Sequence, residues 1–354
     1  MSLEVPDALR VEPGRIPDAL PTALEEIAPP LHSSQPVAGQ AEPTTLFLTV
    51  DVEDAYFKRP ILMTGDGIGP QFGVYGILDR LDAHGMKATL FVNVYEKDRQ
   101  PSGVVEGVVR EIVARGHEVG LHSHPVPELE LYRRPLIRLS RSAQVDILRW
   151  GVELIDRWTG RPPVSFRAGG YALNDDTFAA MEEVGIAIDS SCFFPSPNNC
   201  HAPFTVNAVA ARGPIVEVPV TTVLRVQGDK TVSHRKLDFN WLSVDGLMSA
   251  LGAVSARGAG FATFMMHSFS FIDKATRREA AAPARRPVFT SEDTFGWRVD
   301  VFGPRPEMPA AFSSLLDRVA ADPLLRVRTL AEALPELRAA AAGPSDLIPV
   351  VSGE

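Results

Sequence analysis

Three acids stand at the end of an apolar run, Asp51, Glu53 and Asp54 in TLFLTVDVEDAYF, Thr45 to Phe57. Side chains alternate along a strand, so Asp51 and Glu53 face one way and Val50 and Val52 the other. Two carboxylates on one side repel each other, and stay charged cheaply only beside a cation, a proton or solvent. Three later stretches end in matching chemistry. GHEVGLHSHP, Gly116 to Pro125, holds three of the eight histidines. Alternation puts His122 and His124 on one side and leaves His117, read as structural, on the other. Two imidazoles at that spacing reach one cation, and zinc takes nitrogen at roughly 2.0–2.1 Å together with carboxylate oxygen, which Glu53 or Asp51 can supply. FRAGGY, Phe166 to Tyr171, carries Arg167, an arginine able to orient a carboxylate and keep it ionised. Its Gly169 and Gly170 let backbone come close to a neighbour. In GFATFMMHSFSF, Thr263, Met265 and His267 share one parity, so His267 finishes an apolar strand where a group titrating near neutrality can act as a general acid. Asp189 in GIAIDSS follows a further strand as a supporting acid or a turn former.

Each feature alone has an ordinary explanation: a solvated turn, a hydrogen-bonded polar strand end, a surface ion pair, a core histidine. Their recurrence at successive strand ends favours a site. The elements that would position them alternate. Strand-like runs at Leu46–Val52, Ala88–Val94, His117–Ser123, Val164–Arg167, Ile186–Ile188, Ile215–Pro219, Thr222–Val226, Gly260–Met266 and Arg326–Thr329 are separated by helical spacing, several of the helices closed by glycine. Six or more such units predict an α/β fold, a distorted TIM-like barrel whose chemistry lies at the C-terminal strand ends. Residues 1–43 read as an N-terminal arm with a short helix over Asp18–Ile27, 44–342 as the barrel and 343–354 as a tail.

The 354 residues, 45% hydrophobic and 22% charged, suit a globular chain with a large core. The formal net charge of −9 argues against nucleic acid as partner, and two cysteines build neither a disulfide framework nor a zinc finger. No apolar run is long enough to span a bilayer, and the start lacks a signal-peptide pattern, so a cytoplasmic location is expected. Ile272–Arg305 is a long segment with Arg277, Arg278, Arg285, Arg286, Phe295 and Trp297, read as a lid over the site, and Ser233–Trp241 with His234 and Asp238 as another wall.

In order, TVDVED, GHEVGLH, FRAGGY, GIAIDSS, MMHS and RVRTLAEAL resemble the polysaccharide deacetylase family, the NodB-type carbohydrate esterases, over about Thr44 to Leu334. The resemblance implies a distorted (β/α) barrel of about seven strands and metal-assisted hydrolysis of an N-acyl group, acetyl or formyl, on an amino sugar. By position it implies Asp51 as catalytic base, Arg167 as the residue orienting it, His267 as catalytic acid, and Glu53, His122 and His124 as ligands of a divalent metal, zinc first. Tyr171, Trp241 and Trp297 are the expected substrate-binding residues. Two departures stand out. The family usually has adjacent aspartates where Val52 follows Asp51, so the metal carboxylate is Glu53 or Asp54; and it spaces its histidines four apart, so His124 or Glu128 takes the further ligand role. Some relatives act without metal on cyclic or linear amides, which keeps a metal-free amidohydrolase of a small amide or ureide as an alternative, beside a non-catalytic saccharide-binding barrel. With a cytoplasmic location the expected substrate is a precursor, a nucleotide- or lipid-linked amino sugar.

Overall fold

A computed structural model describes residues 43–54, 60–98, 100–124, 136–193, 207–227, 230–256, 260–275, 301–341 and 350–352. Its central strand, β1 (Thr44–Val52), is buried along its whole length, as a strand covered on both faces must be. Six more ring strands follow: β2 (Thr89–Val92), β3 (Glu118–Ser123), β4 (Ser165–Ala168), β5 (Ile188–Asp189), β6 (Ile215–Glu217) and β7 (Phe261–His267). All pair in parallel, in the order β7-β1-β2-β3-β4-β5-β6, with Ala210–Arg212 antiparallel on the far edge of β6 and Leu325–Arg328 beside the start of β1. Helices over Val74–Ala83, Val104–Ala114, Arg141–Thr159, Asp175–Val184 and Val244–Ala256 lie between strands, so the βα alternation read from the sequence is the architecture found.

The sheet curls, and β6 and β7 meet by isolated contacts rather than a ladder. Thr221 N–H bonds Thr263 C=O at 3.1 Å, and Leu237 bridges Thr221 and Met265. The barrel is distorted at this seam.

Alternation along β1 sorts its side chains into layers. Leu46, Leu48, Val50 and Val52 pack outward with the helices. Phe47 faces inward with Phe91, Ile188, Val216 and Val218, and the last helix, Leu330–Ala340, closes this bottom layer with Leu330, Ala333 and Leu337. Glu118 locks the same end: its carboxylate accepts from Thr89 Oγ1 (2.7 Å), Ser165 Oγ (2.6 Å) and the Ala331 N–H (2.9 Å). Thr49 and Asp51 continue the inward row upward, so the apolar plug fills the base and the polar groups gather at the top.

Asn174 begins its helix as read, with a capping box to Thr177. His117 is structural: buried, its Nδ1 accepts from the Ala88 N–H at 3.2 Å and its Nε2 lies 3.3 Å from Asp82, and burial pushes its pKa down to about 4. The long segment after His267 starts and ends as an antiparallel pair, Ile272–Ala275 with Val301–Pro304. Its arginines at 277, 278, 285 and 286, with Phe295 and Trp297, lie outside the described residues, as do Glu128 and the arm at 1–42. The tail returns at Val350–Ser352 as a strand parallel to Thr222–Gln227. Among the described residues no helix is long and apolar enough to cross a membrane.

Candidate active site and metal centre

Register brings the site together. Asp51 lies opposite His267 on one side and Phe91 on the other, and His122 lies opposite Arg167. The four strand ends thus converge on one mouth, at the C-terminal end of the ring.

Arg167 is the anchor. It is fully buried, its guanidinium 4.3 Å above the Phe91 ring. Nη1 donates to Asp51 Oδ1 (2.8 Å) and Thr49 Oγ1 (2.9 Å), Nε to the Ser190 carbonyl (2.8 Å), and Nη2 to Ser190 Oγ (2.9 Å). Ser191, next to it, accepts the Ala168 N–H at 2.8 Å and donates to Asp189 Oδ1 at 2.5 Å. The DSS stretch is therefore a cradle for Arg167. Burial by itself would raise the Asp51 pKa, but the charge of Arg167, then those of His122 and His267, hold it below the usual carboxylate range.

Glu53, His122 and His124 form the second group. His124 Nε2 is 3.0 Å and His122 Nε2 3.8 Å from Glu53 Oε2, and the ligand-capable atoms of all three lie within 4.8 Å of one another. Ligand atoms about 2.1 Å from a tetrahedral zinc lie roughly 3.4 Å apart, so the spacing suits a cation. The tautomer suits it too. His122 Nδ1 is 2.8 Å from the Arg167 carbonyl and so carries the proton, which leaves Nε2 with its lone pair towards Glu53. Burial opposes the charge on Glu53, yet His124 outweighs it and holds the carboxyl far below its ordinary value; burial likewise opposes protonation of His124, and Glu53 overrides it, raising that pKa. Gly169 explains the close packing here: a Cβ on it would stand 2.4 Å from the Ser123 carbonyl and 2.8 Å from the His124 ring.

Asp54 turns away from this group. Its carboxylate accepts the N–H groups of Leu62 (2.9 Å) and Met63 (3.4 Å), at the start of the short helix Ile61–Thr64, and its own N–H donates to Glu96. Burial and the Glu96 charge raise its pKa. Of the two carboxylates the sequence left open, Glu53 is the one beside the histidines.

His267 closes the site with Nε2 3.9 Å from Glu53 Oε1 and its ring stacked on Phe269, centroids 4.6 Å apart. Its Nδ1 is buried with no hydrogen-bonding partner among the described residues. Burial lowers its pKa against the opposing charges of Asp51, Glu53 and Asp238. Tyr171 stands at the rim with its ring against Phe193, and Trp241 is 49% exposed with Arg235 and Lys236 over its ring at 5.6 and 5.0 Å. In the segment expected to form another wall, Asp238 is buried.

Two groups escaped the sequence reading. Lys236 is buried between Asp238 and Tyr171; its parity with Asp238, two residues on, was the available signal. Glu96 follows the β2 strand end, and burial with the charge of Glu53 pushes its pKa up to about 8.

Together these groups offer a cation site, a carboxylate held ionised and an imidazole, set around one mouth. Residues 55–188 match the family model described as polysaccharide deacetylase, a span that includes His122, His124, Arg167 and Tyr171 and stops short of His267. No curated protein matches the chain by sequence. Among solved structures, a Mycobacterium smegmatis protein classed with the polysaccharide deacetylases is 20% identical, with a TM-score of 0.55 over 90% of this chain and 98% of that one. The PuuE allantoinase is 13% identical, TM-score 0.53, over 88% and 96% of the two chains. The 4-alpha-glucanotransferase of Thermococcus litoralis is 10% identical, TM-score 0.50, over 88% of this chain and 42% of the other. The likeness to these structures is one of fold. Residues 55–188 thus match the model of the polysaccharide deacetylase family, the family that the chain's ordered motifs resemble.

Proposed function

We propose that the chain is a metal-assisted hydrolase of linear amide C–N bonds that removes an N-acyl group, acetyl or formyl, from an amino sugar in a polysaccharide or glycolipid precursor. The observation that carries this reading is the Glu53, His122 and His124 group placed beside the Asp51–Arg167 pair and His267. Those three residues would hold a divalent cation, and the two-imidazole, one-carboxylate set suits zinc. A bound zinc supplies Lewis acidity, for the amide carbonyl and for the attacking water. The remaining work belongs to the chain. Asp51, kept ionised by Arg167, takes a proton from the water as its oxygen bonds the acyl carbon. His267 delivers a proton to the nitrogen as the C–N bond breaks, releasing a carboxylic acid and an amine. An unprotonated amine leaves poorly, so loss of this acid costs on the order of 10²–10⁴ in rate.

A second reading, a metal-free amidohydrolase of a small amide or ureide, draws on one observation. His124 and Glu53, 3.0 Å apart, satisfy each other as an ion pair without a cation.

One experiment separates the two: elemental analysis of the purified protein beside His122→Ala, with both screened for acetate or formate release from acylated amino sugars. About one zinc per chain, lost in the variant together with acyl release, supports the hydrolase. No metal, none taken up on dialysis against zinc, and no acyl release would refute it.

A further inference from the structure

Tyr171 has φ 57°, directly after Gly170 at 61°. A bulky side chain in this left-handed region is strained, and such strain persists only where the surroundings enforce it. Here they fix the ring and its hydroxyl. The ring packs edge-on against Phe193, centroids 4.6 Å apart, and the hydroxyl lies 3.2 Å from Lys236 Nζ.

Lys236 is an ammonium 6% exposed, held by Asp238 Oδ2 at 3.4 Å and by the ring faces of Tyr171, Trp241 and Phe193 at 4.7, 5.0 and 5.3 Å. An ammonium only donates, so the Tyr171 oxygen accepts from it and the Tyr171 O–H must be given elsewhere. Among the described residues that O–H meets no acceptor. The pair lies beside β7, the strand that ends in His267. Lys236 Nζ is 4.0 Å from Met265 Sδ, and Met265 shares its parity with His267 on β7. Tyr171 itself leaves the strand end where Arg167 holds Asp51. Burial, and then the charge of Asp51, raise its ionisation well above the ordinary phenol range, so the proton stays on.

We propose that Tyr171, polarised by Lys236, donates its hydroxyl hydrogen to the acyl carbonyl oxygen of the substrate as negative charge builds on that oxygen. No bond forms to the tyrosine, and its proton is not transferred. Tyr171 is then a catalytic residue and Lys236 a positioning one. The proposal rests on the amide-hydrolase reading.

The test compares Tyr171→Phe, Lys236→Met and the double variant by calorimetric titration with two small probes. Methylphosphonate is tetrahedral and carries charged oxygens like the addition intermediate; acetate is planar. Removing one oxyanion donor costs about 10²–10³ in kcat in other enzymes. Tyr171→Phe is expected to weaken methylphosphonate roughly 10- to 100-fold and acetate less than about threefold. Lys236→Met should weaken methylphosphonate in the same sense, with the double variant no worse than Tyr171→Phe, because the lysine acts through the tyrosine. Should Lys236→Met fail to fold, Tyr171→Phe alone decides. Unchanged methylphosphonate affinity in Tyr171→Phe, an equal loss for both probes, or no methylphosphonate binding by the wild type would overturn the proposal. Tyrosine-dependent methylphosphonate binding in a protein that releases no acyl group from any sugar would uphold the donor and sink only the amino-sugar reading.

Discussion

Replacing Arg167 by Met should reveal how much the anchor contributes. The guanidinium is fully buried and makes four hydrogen bonds of 2.8–2.9 Å. Methionine fills much of the volume over Phe91 but leaves Asp51, 3% exposed, without its ion-pair partner. Removing one partner of a buried pair costs about 3–5 kcal/mol, and an orphaned Ser190 carbonyl adds about 1–3 kcal/mol. His122 and His267 still favour the Asp51 charge, so the lower part of that range is expected, about 4 kcal/mol. The pH dependence carries a sign. In the wild type the Asp51 pKa is depressed, so its contribution is present above the ordinary carboxylate range and is lost as pH falls through the folded value. In Arg167→Met burial is opposed only by the two histidines, so the depression of the Asp51 pKa shrinks, and with it the stability gained as pH rises through the carboxylate range. The gap between the two proteins therefore widens from pH 4 to pH 7. Urea denaturation at several pH values measures it, and Arg167→Met/Asp51→Asn, which removes the stranded charge, should regain about 2 kcal/mol at pH 7. A loss below about 1 kcal/mol, or a double variant no more stable than the single, would refute the buried-pair account.

Three further outcomes follow from the geometry. Gly169→Ala should push the His124 ring from Glu53 and weaken zinc binding at least about tenfold, whereas Gly252→Ala, with open space at its Cβ, should leave it unchanged; competition with a chelating dye measures both. Asp54→Asn should cost about 1–2 kcal/mol through the Leu62 and Met63 amides while zinc content stays at one per chain by elemental analysis, and loss of the metal would transfer the ligand role from Glu53. Asp189 and Glu217, opposite each other on β5 and β6, are fully buried, and each has a carboxylate oxygen without a donor, so the pair retains a proton. Burial raises both pKa values, so this stability is present at low pH and lost as pH rises; Glu217→Gln supplies a permanent donor and should flatten the fall of the urea midpoint as pH rises above the ordinary carboxylate range, and parallel wild-type and variant curves would refute the shared proton.

The parts of this fold that depend on period were open to reading from sequence, and the parts that depend on encounter were not. Alternation along β1 and β7 tells which residues face inward, and the register then sets Asp51 directly opposite His267. The same parity joins His122 to His124, because a strand places residues two apart on one side whatever surrounds them. Periodicity is silent on which groups meet across the ring. Glu53 and Asp54 are adjacent in sequence, yet one lies beside two imidazoles and the other at the start of a helix seven residues on, a choice made by where Ile61–Thr64 returns. FRAGGY announces a close approach without naming the neighbour, which proves to be the Ser123 carbonyl and the His124 ring. Glu217 reaches Asp189 from 28 residues away, and Lys236 reaches Tyr171 from 65, across strands whose order the pattern of apolar residues leaves undetermined. Arg167 spans both regimes. Its place at a strand end follows from local pattern, but its effect on Asp51, 116 residues earlier, exists only because the curl of the four strands β1 to β4 brings the first and last round to face one interior. A charged side chain is tolerated at that depth only because each of its three nitrogens finds an acceptor there, so the cradle from Ser190 and Thr49 is as much a requirement of the site as the carboxylate it serves.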